Sequence, residues 1–313
     1  MPPAQGSAAS AGHVSVMREE LVAAVLGESD GSYIDATFGR GGHARALLEQ
    51  LGPEAQLLVL DRDLEAIEEA HRLQALDSRV HVAHKRFACI QDAAADADFK
   101  DVDGVMFDVG VSSPQIDQPE RGFSFRLEGP LDMRMDTTQG ITAHDWINSA
   151  TRSDMARVFR DYGEERNAYR IAGAIERARP ISSTSELASV VESAQTRPDK
   201  NKHAATRVFQ AIRIFINDEL GELHQALDAS WELLRPGGKL AVISFHSLED
   251  RIVKRAFKAL AKPDPLPRRL PIQAHQESPP KARLSKLQKA RDTEVVANPR
   301  ARSAVLRTAE RLR

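Results

Sequence analysis

Short apolar runs alternate with helical patterns in the first third of the chain. The runs at residues 33–37, 56–60, 79–83 and 102–107 have the length and composition of buried strands. Helical periodicity at residues 42–51 and 64–75 separates the first three runs. Because strands that alternate with helices are typical of a parallel sheet, the pattern predicts an α/β fold.

The pattern changes over residues 142–234, where helical periodicity recurs without a convincing strand. The helical segments fall at residues 153–162, 165–179, 185–193 and 202–234. Strand character returns at residues 239–244, after a Pro-Gly-Gly turn, and at residues 303–308. We therefore predict a flexible tail (1–12), a sheet domain in two pieces (13–125 and 236–313) and an inserted helical domain (126–235) that recognises the substrate.

Composition places the chain among ordinary soluble proteins, with 42% apolar and 28% charged residues in a length of 313. No apolar run approaches the roughly 18 residues that a bilayer span needs, so we expect no membrane partner. The first residues lack a basic and hydrophobic leader, which favours a cytoplasmic location. The single cysteine, Cys89, excludes an internal disulfide.

Charge is distributed unevenly along the chain although its formal net value is only -2. Residues 251–313 contain 17 Lys or Arg against 5 Asp or Glu, whereas the remainder contains 26 against 40. Within this basic segment, residues 262–280 contain six prolines and no apolar periodicity, which predicts an extended, mobile stretch. We interpret this segment as a basic tail on an acidic body, which indicates a nucleic-acid partner despite the nearly neutral total.

A glycine-rich turn follows the first predicted strand. Gly39, Gly41 and Ala44 fit the fingerprint in which the backbone approaches a nucleotide closely. Asp61 ends the second strand about 20 residues later, where a carboxylate can bind both hydroxyls of a ribose. The spacing indicates adenosine binding without choosing between NAD and S-adenosylmethionine. Asp61 could instead cap the next helix, a role that Asp63 could also fill.

The fourth strand brings Asp108 and the segment that ends at Gln115 to the carboxyl edge of the sheet, where ligands bind in open α/β folds. His246 follows the strand at residues 239–244 and reaches the same edge. It could gate the pocket or cap the helix that begins near Ser247. His43, after the glycines, could enter the pocket or serve only as a polar residue in a first helical turn.

Several longer motifs carry a family resemblance. The chain resembles the RsmH (MraW) family of bacterial 16S rRNA cytosine N4-methyltransferases. The matching segments span most of the chain: YIDATFGRGGH (33–43), DVGVSSPQ (108–115), RGFSF (121–125), GPLDMRMD (129–136), YGEER (162–166), TRVFQAIR (206–213), NDEL (217–220), SFHSLEDR (244–251) and NPRARS (298–303).

The resemblance implies a class I, Rossmann-like methyltransferase sheet with an inserted all-helical domain, and S-adenosylmethionine as the cofactor. It implies that the substrate is a cytidine in the decoding region of 16S rRNA within the small ribosomal subunit. The Asp-Pro-Pro-aromatic tetrad of many amino-methyltransferases is absent, so Asp108, at the equivalent place, is the candidate catalytic residue. The cofactor-binding residues implied by the family are Gly41, Gly42, His43, Asp61, Phe87, Asp108 and Gln115.

The target base must be unpaired or flipped to reach such a pocket, so the protein must also hold RNA around it. Two sets of basic residues either contact phosphates or form an ordinary solvated face. One set lies in the insert and comprises Lys200, Lys202, Arg207 and Arg213, and the other comprises the basic residues from Arg251 onward. His81 and His84 lack further ligands at zinc spacing, so we expect no metal. The oligomeric state stays open between a monomer and a homodimer. The rival functions are an NAD-dependent oxidoreductase and a non-catalytic ribosome assembly factor.

Overall fold

The computed structural model describes residues 15–195, 203–262 and 279–313. Its strands are β1 (Ser32–Asp35), β2 (Gln56–Asp61), β3 (Val80–His84), β4 (Val102–Asp108), β5 (Leu234–Ser244), β6 (Ala282–Leu284), β7 (Gln288–Lys289) and β8 (Val305–Arg311). Its helices are α1 (Arg18–Val25), α2 (Gly42–Leu48), α3 (Leu64–Leu76), α4 (Ile90–Asp96), α5 (Ser113–Asp117), α6 (Ala143–Ser149), α7 (Arg152–Gly163), α8 (Ala168–Ala178), α9 (Thr184–Ala194), α10 (Thr206–Asn217), α11 (Glu219–Leu233), α12 (Ser247–Leu260) and α13 (Asp292–Ala297).

The strands form one sheet in the order β3-β2-β1-β4-β5-β8-β6, and β7 also pairs with β8. Strands β1 to β5 run parallel, whereas β8 is antiparallel to β5. The predicted α/β fold is confirmed, and the sheet has the Rossmann-like arrangement that the family resemblance implies. The order turns back at β1 and β4, so the carboxyl ends of these two central strands open a crevice for a ligand.

Alternation of side chains along the strands gives the sheet two buried faces. Tyr33 and Leu57 lie in the cluster beneath α1, α2 and α3. Ile34 and Leu58, one residue further along each strand, lie in the opposite cluster with residues of α4, α11 and α12. Because both faces are covered, the central strands are apolar throughout, which is why they could be recognised from their sequence.

Helices α6 to α10 form a separate bundle with its own core, which includes Ile147, Phe159, Ile171 and Ile212. Helical segments predicted at residues 153–162 and 185–193 correspond to α7 and α9. The segment predicted at residues 202–234 is two helices, α10 and α11, because Asp218 adopts a left-handed conformation with φ 48° between them. Within the described part of the chain, no helix has the length and apolar composition to cross a bilayer.

Helix α11 packs on the sheet and not in the helical bundle. Its side chains Leu223, Leu227 and Trp231 share a cluster with strand residues Val105 and Val242. The predicted insert, which ends at residue 235, includes α11, whereas the packing of α11 groups it with the sheet. On the basis of side-chain packing, we propose that the insert ends at the turn around Asp218.

The basic C-terminal segment is largely folded, contrary to its interpretation as a tail. After α12 it forms β6, β7, α13 and β8, and β8 pairs with β5 over six residues. Part of its positive charge is used inside the protein: Arg307 pairs with Asp250 at 2.7 Å, and Arg311 donates to the carbonyl of Trp231 at 2.6 Å. Most of the proline-rich stretch predicted to be mobile lies outside the described residues, as do the predicted flexible tail, Lys200 and Lys202.

Candidate active site

A cavity of about 530 Å³ lies at the carboxyl ends of β1, β2, β4 and β5. Six of the seven residues implied as cofactor ligands line it: Gly42, His43, Asp61, Phe87, Asp108 and Gln115. Gly41 lies in the turn behind the wall, where it has φ 72° and donates to the carbonyl of Phe38 at 2.8 Å. A Cβ at Gly41 would meet the Phe38 ring at 2.5 Å, so this position requires glycine for its conformation and its packing.

Asp61 fixes the glycine turn from the end of β2. Its carboxylate accepts the backbone N–H of Gly39 at 2.8 Å and that of Asp63 at 2.9 Å, using one oxygen for each. Burial raises the pKa of Asp61, and these two hydrogen bonds oppose that rise. Since a carboxylate has about four acceptor positions, two remain for hydroxyl groups in the cavity.

The capping role weighed for Asp61 belongs to Asp63. The Asp63 carboxylate accepts the N–H of Glu65 at 3.0 Å and so caps α3. Its other oxygen accepts from Arg121 and from Gln115, both at 2.7 Å. Asp61 is therefore available to a ligand, because its neighbour supplies the helix cap.

Arg121 is a structural residue of the site that sequence reasoning did not assign. It is buried, with a relative exposure of 7%, and it also donates to the carbonyls of Arg134 and Met135 at 3.2 and 3.0 Å. The arginine thereby ties the Asp63 end of β2 to the start of the insert. The signal was present, since Arg121 begins the RGFSF motif, but nothing in the local sequence showed its partner.

Both ends of the Gln115 amide form hydrogen bonds within the protein. Its amide nitrogen donates to Asp63, and its amide oxygen accepts the N–H of Ser112 at 3.0 Å, which completes the capping of α5. The glutamine therefore shapes the wall of the cavity by holding the loop after β4. Phe87 lies edge-on to Phe107, with ring centroids 5.9 Å apart, and offers an aromatic surface to the cavity.

Asp108 is an acidic group of the cavity lining whose pKa is strongly raised. Burial, followed by the charge of Glu249, raises its pKa to about 7. Its side chain retains 25% exposure, which faces the cavity, while Oδ1 is buried and has no hydrogen-bond partner among the residues described. A carboxyl group with a pKa near neutrality and an unsatisfied oxygen is suited to exchange a proton with a bound molecule.

His43 enters the site, as the family implies, and is only 6% exposed. Its Nε2 lies 3.0 Å from the carbonyl oxygen of Val16, and its Nδ1 lies 3.7 Å from Oδ2 of Asp108. Burial lowers the pKa of the imidazole. The imidazole is therefore neutral near pH 7 and connects the segment before α1 to the acidic centre.

His246 caps α12, the second of the two roles predicted for it. Its Nδ1 accepts the N–H of Glu249 at 3.4 Å, while Glu249 accepts the N–H of Phe245 at 2.8 Å. The imidazole also lines the cavity, so the cap forms part of the wall. The cap holds Glu249, whose charge contributes to the high pKa of Asp108.

A larger groove of about 1210 Å³ opens beside the cavity, and the two share five lining residues: Ser15, Val111, Ile116, Arg213 and Arg300. One wall belongs to the insert, through Phe209 and Gln210, and another to the C-terminal segment from Arg291 to Arg302. Six arginines line this arginine groove: Arg18, Arg126, Arg213, Arg291, Arg300 and Arg302. Phe123 and Phe125 lie among them.

The predicted phosphate contacts in the insert are only partly consistent with the structure. Arg213 lines the groove, but Glu219 holds its guanidinium through two hydrogen bonds of 2.7 and 2.8 Å. Arg207 does not line the groove, and its Nη1 lies 3.9 Å from the buried Glu165. Arg18 and Arg126 are exposed and were not singled out from the sequence, whereas Arg302, which is also exposed, belongs to the basic segment from Arg251 onward that was predicted to contact phosphates. In the described ranges, no three His, Cys, Asp or Glu side chains converge as metal ligands would.

The cavity has the features that S-adenosylmethionine requires. Asp61 retains free acceptor positions for ribose hydroxyls, Phe87 offers an apolar face, and the buried Oδ1 of Asp108 lacks a partner among the described residues. Its volume lies within the range of small-molecule sites. The residues present therefore fit this cofactor.

Comparison with known proteins agrees with this assignment. A family model described as the MraW methylase family matches residues 10–312. A protein of Ralstonia nicotianae named ribosomal RNA small subunit methyltransferase H is 51% identical over 311 residues, covering 96% of this chain and 97% of its own. A protein of the same name from Dechloromonas aromatica is 50% identical, covering 97% and 99% of the two chains. The chain therefore belongs to the MraW methylase family.

Proposed function

We propose that the protein transfers a methyl group from S-adenosylmethionine to N4 of a cytidine in the decoding region of 16S rRNA, within the small ribosomal subunit. The observation that carries the proposal is the junction of two spaces. A cavity that fits the cofactor, with Asp108 on its wall, opens into a groove lined by arginines and aromatic rings. The name shared by the curated relatives supports the choice of small-subunit RNA as substrate.

The cofactor, when bound, supplies a methyl group already activated on a sulfonium sulfur. The cytosine amine is a weak nucleophile because its lone pair is delocalised into the ring, so the protein must orient it and accept its proton. Asp61 holds the ribose, the glycine turn allows close approach of the backbone, and Phe87 borders the adenine. Asp108 accepts the amine proton in its ionised form.

RNA is held along the arginine groove. Exposed guanidinium groups attract phosphates, and aromatic rings provide surfaces on which unpaired bases stack. Arg18, Arg126 and Arg302 lie on different walls of the groove and face the same space. A strand bound there passes the mouth of the cofactor cavity, because the two spaces share the lining residues named above. The flipped cytidine then enters from the groove.

The rival functions account for fewer of these observations. An NAD-dependent oxidoreductase would use the glycine turn and Asp61 but has no role for an arginine groove. A non-catalytic assembly factor would need the groove but not an unsatisfied, protonatable Asp108 in the neighbouring cavity. We also propose a cytoplasmic location, where a ribosomal substrate would be met. A homodimer remains the alternative to a monomer, and analytical sedimentation of the purified chain distinguishes them.

The test is methylation of small subunits isolated from cells in which the gene is deleted. Incubation with the protein and S-adenosylmethionine should produce one N4-methylated cytidine, identified by mass spectrometry of RNA fragments. Subunits from cells that retain the gene should accept little methyl, because their site is already modified. Thermal stabilisation by NAD and not by S-adenosylhomocysteine would instead support the oxidoreductase.

A further inference from the structure

The position of the proton on His43 follows from its partners. A backbone carbonyl can only accept, so the contact of 3.0 Å between Nε2 and the Val16 oxygen requires Nε2 to carry the hydrogen. The other nitrogen, Nδ1, then bears a lone pair when the ring is neutral. Burial lowers the pKa of His43, which keeps the ring neutral near pH 7. Val16 therefore determines which face of the imidazole is an acceptor.

The acceptor nitrogen faces Asp108. Nδ1 lies 3.7 Å from Oδ2, which is longer than a hydrogen bond. A lone pair facing an ionised carboxylate has no hydrogen to share, so no hydrogen bond can form between the two groups while Asp108 is ionised. Once Asp108 is protonated, its O–H can donate to Nδ1. The contact between the two residues is therefore attractive only after Asp108 has received a proton.

The other charged groups around the pair are consistent with this arrangement. Asp35, from β1, is buried beside His43, accepts the N–H of Thr37 at 3.1 Å and has its pKa raised by burial to about 7. Thr37 in turn accepts the backbone N–H of Asp108 at 2.6 Å. The remaining charged groups that act on the pair come from α1, α12 and α13: Arg18, Glu249 and Glu294.

We propose that His43 is a positioning residue for methyl transfer. After Asp108 has taken a proton from the cytosine amine, Nδ1 of His43 accepts the hydrogen bond that the protonated Asp108 donates. The inference rests on the proposed function. As the N4–carbon bond forms, the carbon–sulfur bond breaks and leaves its electron pair on sulfur. The N4 proton passes to Asp108, whose O–H then donates to His43, and it leaves to water after product release. Such a contact accelerates the reaction because it forms as the proton is transferred and not before.

Two substitutions separate this role from simple anchoring of Val16. In His43→Gln, the amide nitrogen reaches the place of Nε2 and keeps a donor for Val16, but no acceptor faces Asp108. In His43→Asn, the shorter amide keeps an acceptor near the place of Nδ1 and loses the contact with Val16. His71→Gln, at an exposed site on α3, is the matched control.

We expect kcat for small-subunit methylation to fall at least about tenfold in His43→Gln, with the cofactor KM changed by less than about threefold. The acid limb of the pH profile should move down by about half to one pH unit, because protonated Asp108 loses its acceptor. His43→Asn should have the acid limb of the wild type and a higher kcat than His43→Gln, although it should unfold at a lower temperature than the wild type. If His43→Gln has the kcat and the acid limb of the wild type, His43 serves only to hold Val16.

A second measurement does not depend on activity. Nitrogen-15 NMR of the ligand-free protein should show that Nε2 of His43 carries the hydrogen at neutral pH. Carbon-13 titration should give a lower pKa for Asp108 in His43→Gln than in the wild type or His71→Gln. A hydrogen on Nδ1, or an unchanged Asp108 titration, would overturn the inference. Failure of the wild type to methylate small subunits would reject the proposed function while leaving these NMR results interpretable.

Discussion

Replacing Asp61 by alanine tests the ribose-binding role most directly. The carboxylate accepts two backbone N–H groups, and its remaining acceptor positions face the cavity. Loss of a charge-assisted hydrogen bond to a ribose hydroxyl costs about 1.5 to 3 kcal/mol. Asp61→Ala should therefore weaken S-adenosylhomocysteine binding roughly 10- to 150-fold in isothermal titration calorimetry.

The same substitution has a separate effect on stability. Gly39 and Asp63 each lose an acceptor for a backbone N–H, which is unfavourable. Removal of a buried carboxylate whose pKa is raised by burial offsets part of that loss. We expect the free energy of unfolding to fall by about 1 to 3 kcal/mol in urea denaturation, so that the fold survives.

A matched control distinguishes ligand binding from general destabilisation. Asp77 is also a partly buried carboxylate near α3, and it holds Arg79 through side-chain contacts of 2.9 and 2.6 Å, outside the cavity lining. Asp77→Ala should reduce stability by up to about 1 kcal/mol and leave the affinity for S-adenosylhomocysteine unchanged. Equal affinities for the wild type and Asp61→Ala, or equal losses in both variants, would refute the assignment of Asp61.

Three further predictions concern the acid, the buried ion pair and the groove. Asp108→Asn should lower kcat roughly 100-fold or more, with cofactor affinity changed by less than about tenfold. Because the pKa of Asp108 is raised to about 7, wild-type activity should rise with pH through that value. Asp108→Asn should also unfold at a higher temperature than the wild type at pH 8, because the wild-type carboxylate is ionised there and its burial destabilises the fold. A kcat equal to that of the wild type would show that Asp108 takes no part in the chemistry. Arg121→Met should lower the free energy of unfolding by about 3 to 5 kcal/mol in urea denaturation, because it leaves the charge of Asp63 buried without a partner. A loss below about 1 kcal/mol would contradict a strong ion pair. Arg302→Gln should reduce, by about 0.7, the slope of the logarithm of the RNA-binding constant against the logarithm of the salt concentration. Arg72→Gln on α3 should leave this slope unchanged. Equal slopes in the two variants would exclude Arg302 from the RNA contact.

The sheet could be predicted from the sequence because its signals are local. Strands covered on both faces read as continuous apolar runs, and β1, β2, β4 and β5 were recognised in this way, whereas β3 at the edge of the sheet is only partly buried. Asp61 and Asp108 were placed at one edge because the carboxyl ends of parallel strands meet there. The cap at Asp63 was available as an alternative for the same reason, since capping depends on residues close in sequence.

Features that depend on distant partners could not be predicted in this way. The C-terminal segment was interpreted as a basic tail, because a count of charges does not reveal that Asp250 neutralises Arg307. The break between α10 and α11 occurs at Asp218 in a left-handed conformation, without the glycine that would have indicated it. Arg121 lies 58 positions from Asp63 in the chain, so only the folded structure shows their pairing.

The end of β2 connects the cofactor cavity to the insert through consecutive residues. Asp61 faces the cavity, Arg62 donates to the carbonyl of Asn217 at 2.8 Å, and Asp63 pairs with Arg121. Asn217 in turn accepts the N–H of Met135 at 2.8 Å, which joins the end of α10 to the start of the insert. These groups are largely buried, so any change that separates the insert from the sheet must leave polar groups without partners. The groove wall formed by the insert is therefore held at a fixed position relative to Asp61, the residue proposed to bind the ribose, as transfer between two separately bound molecules requires.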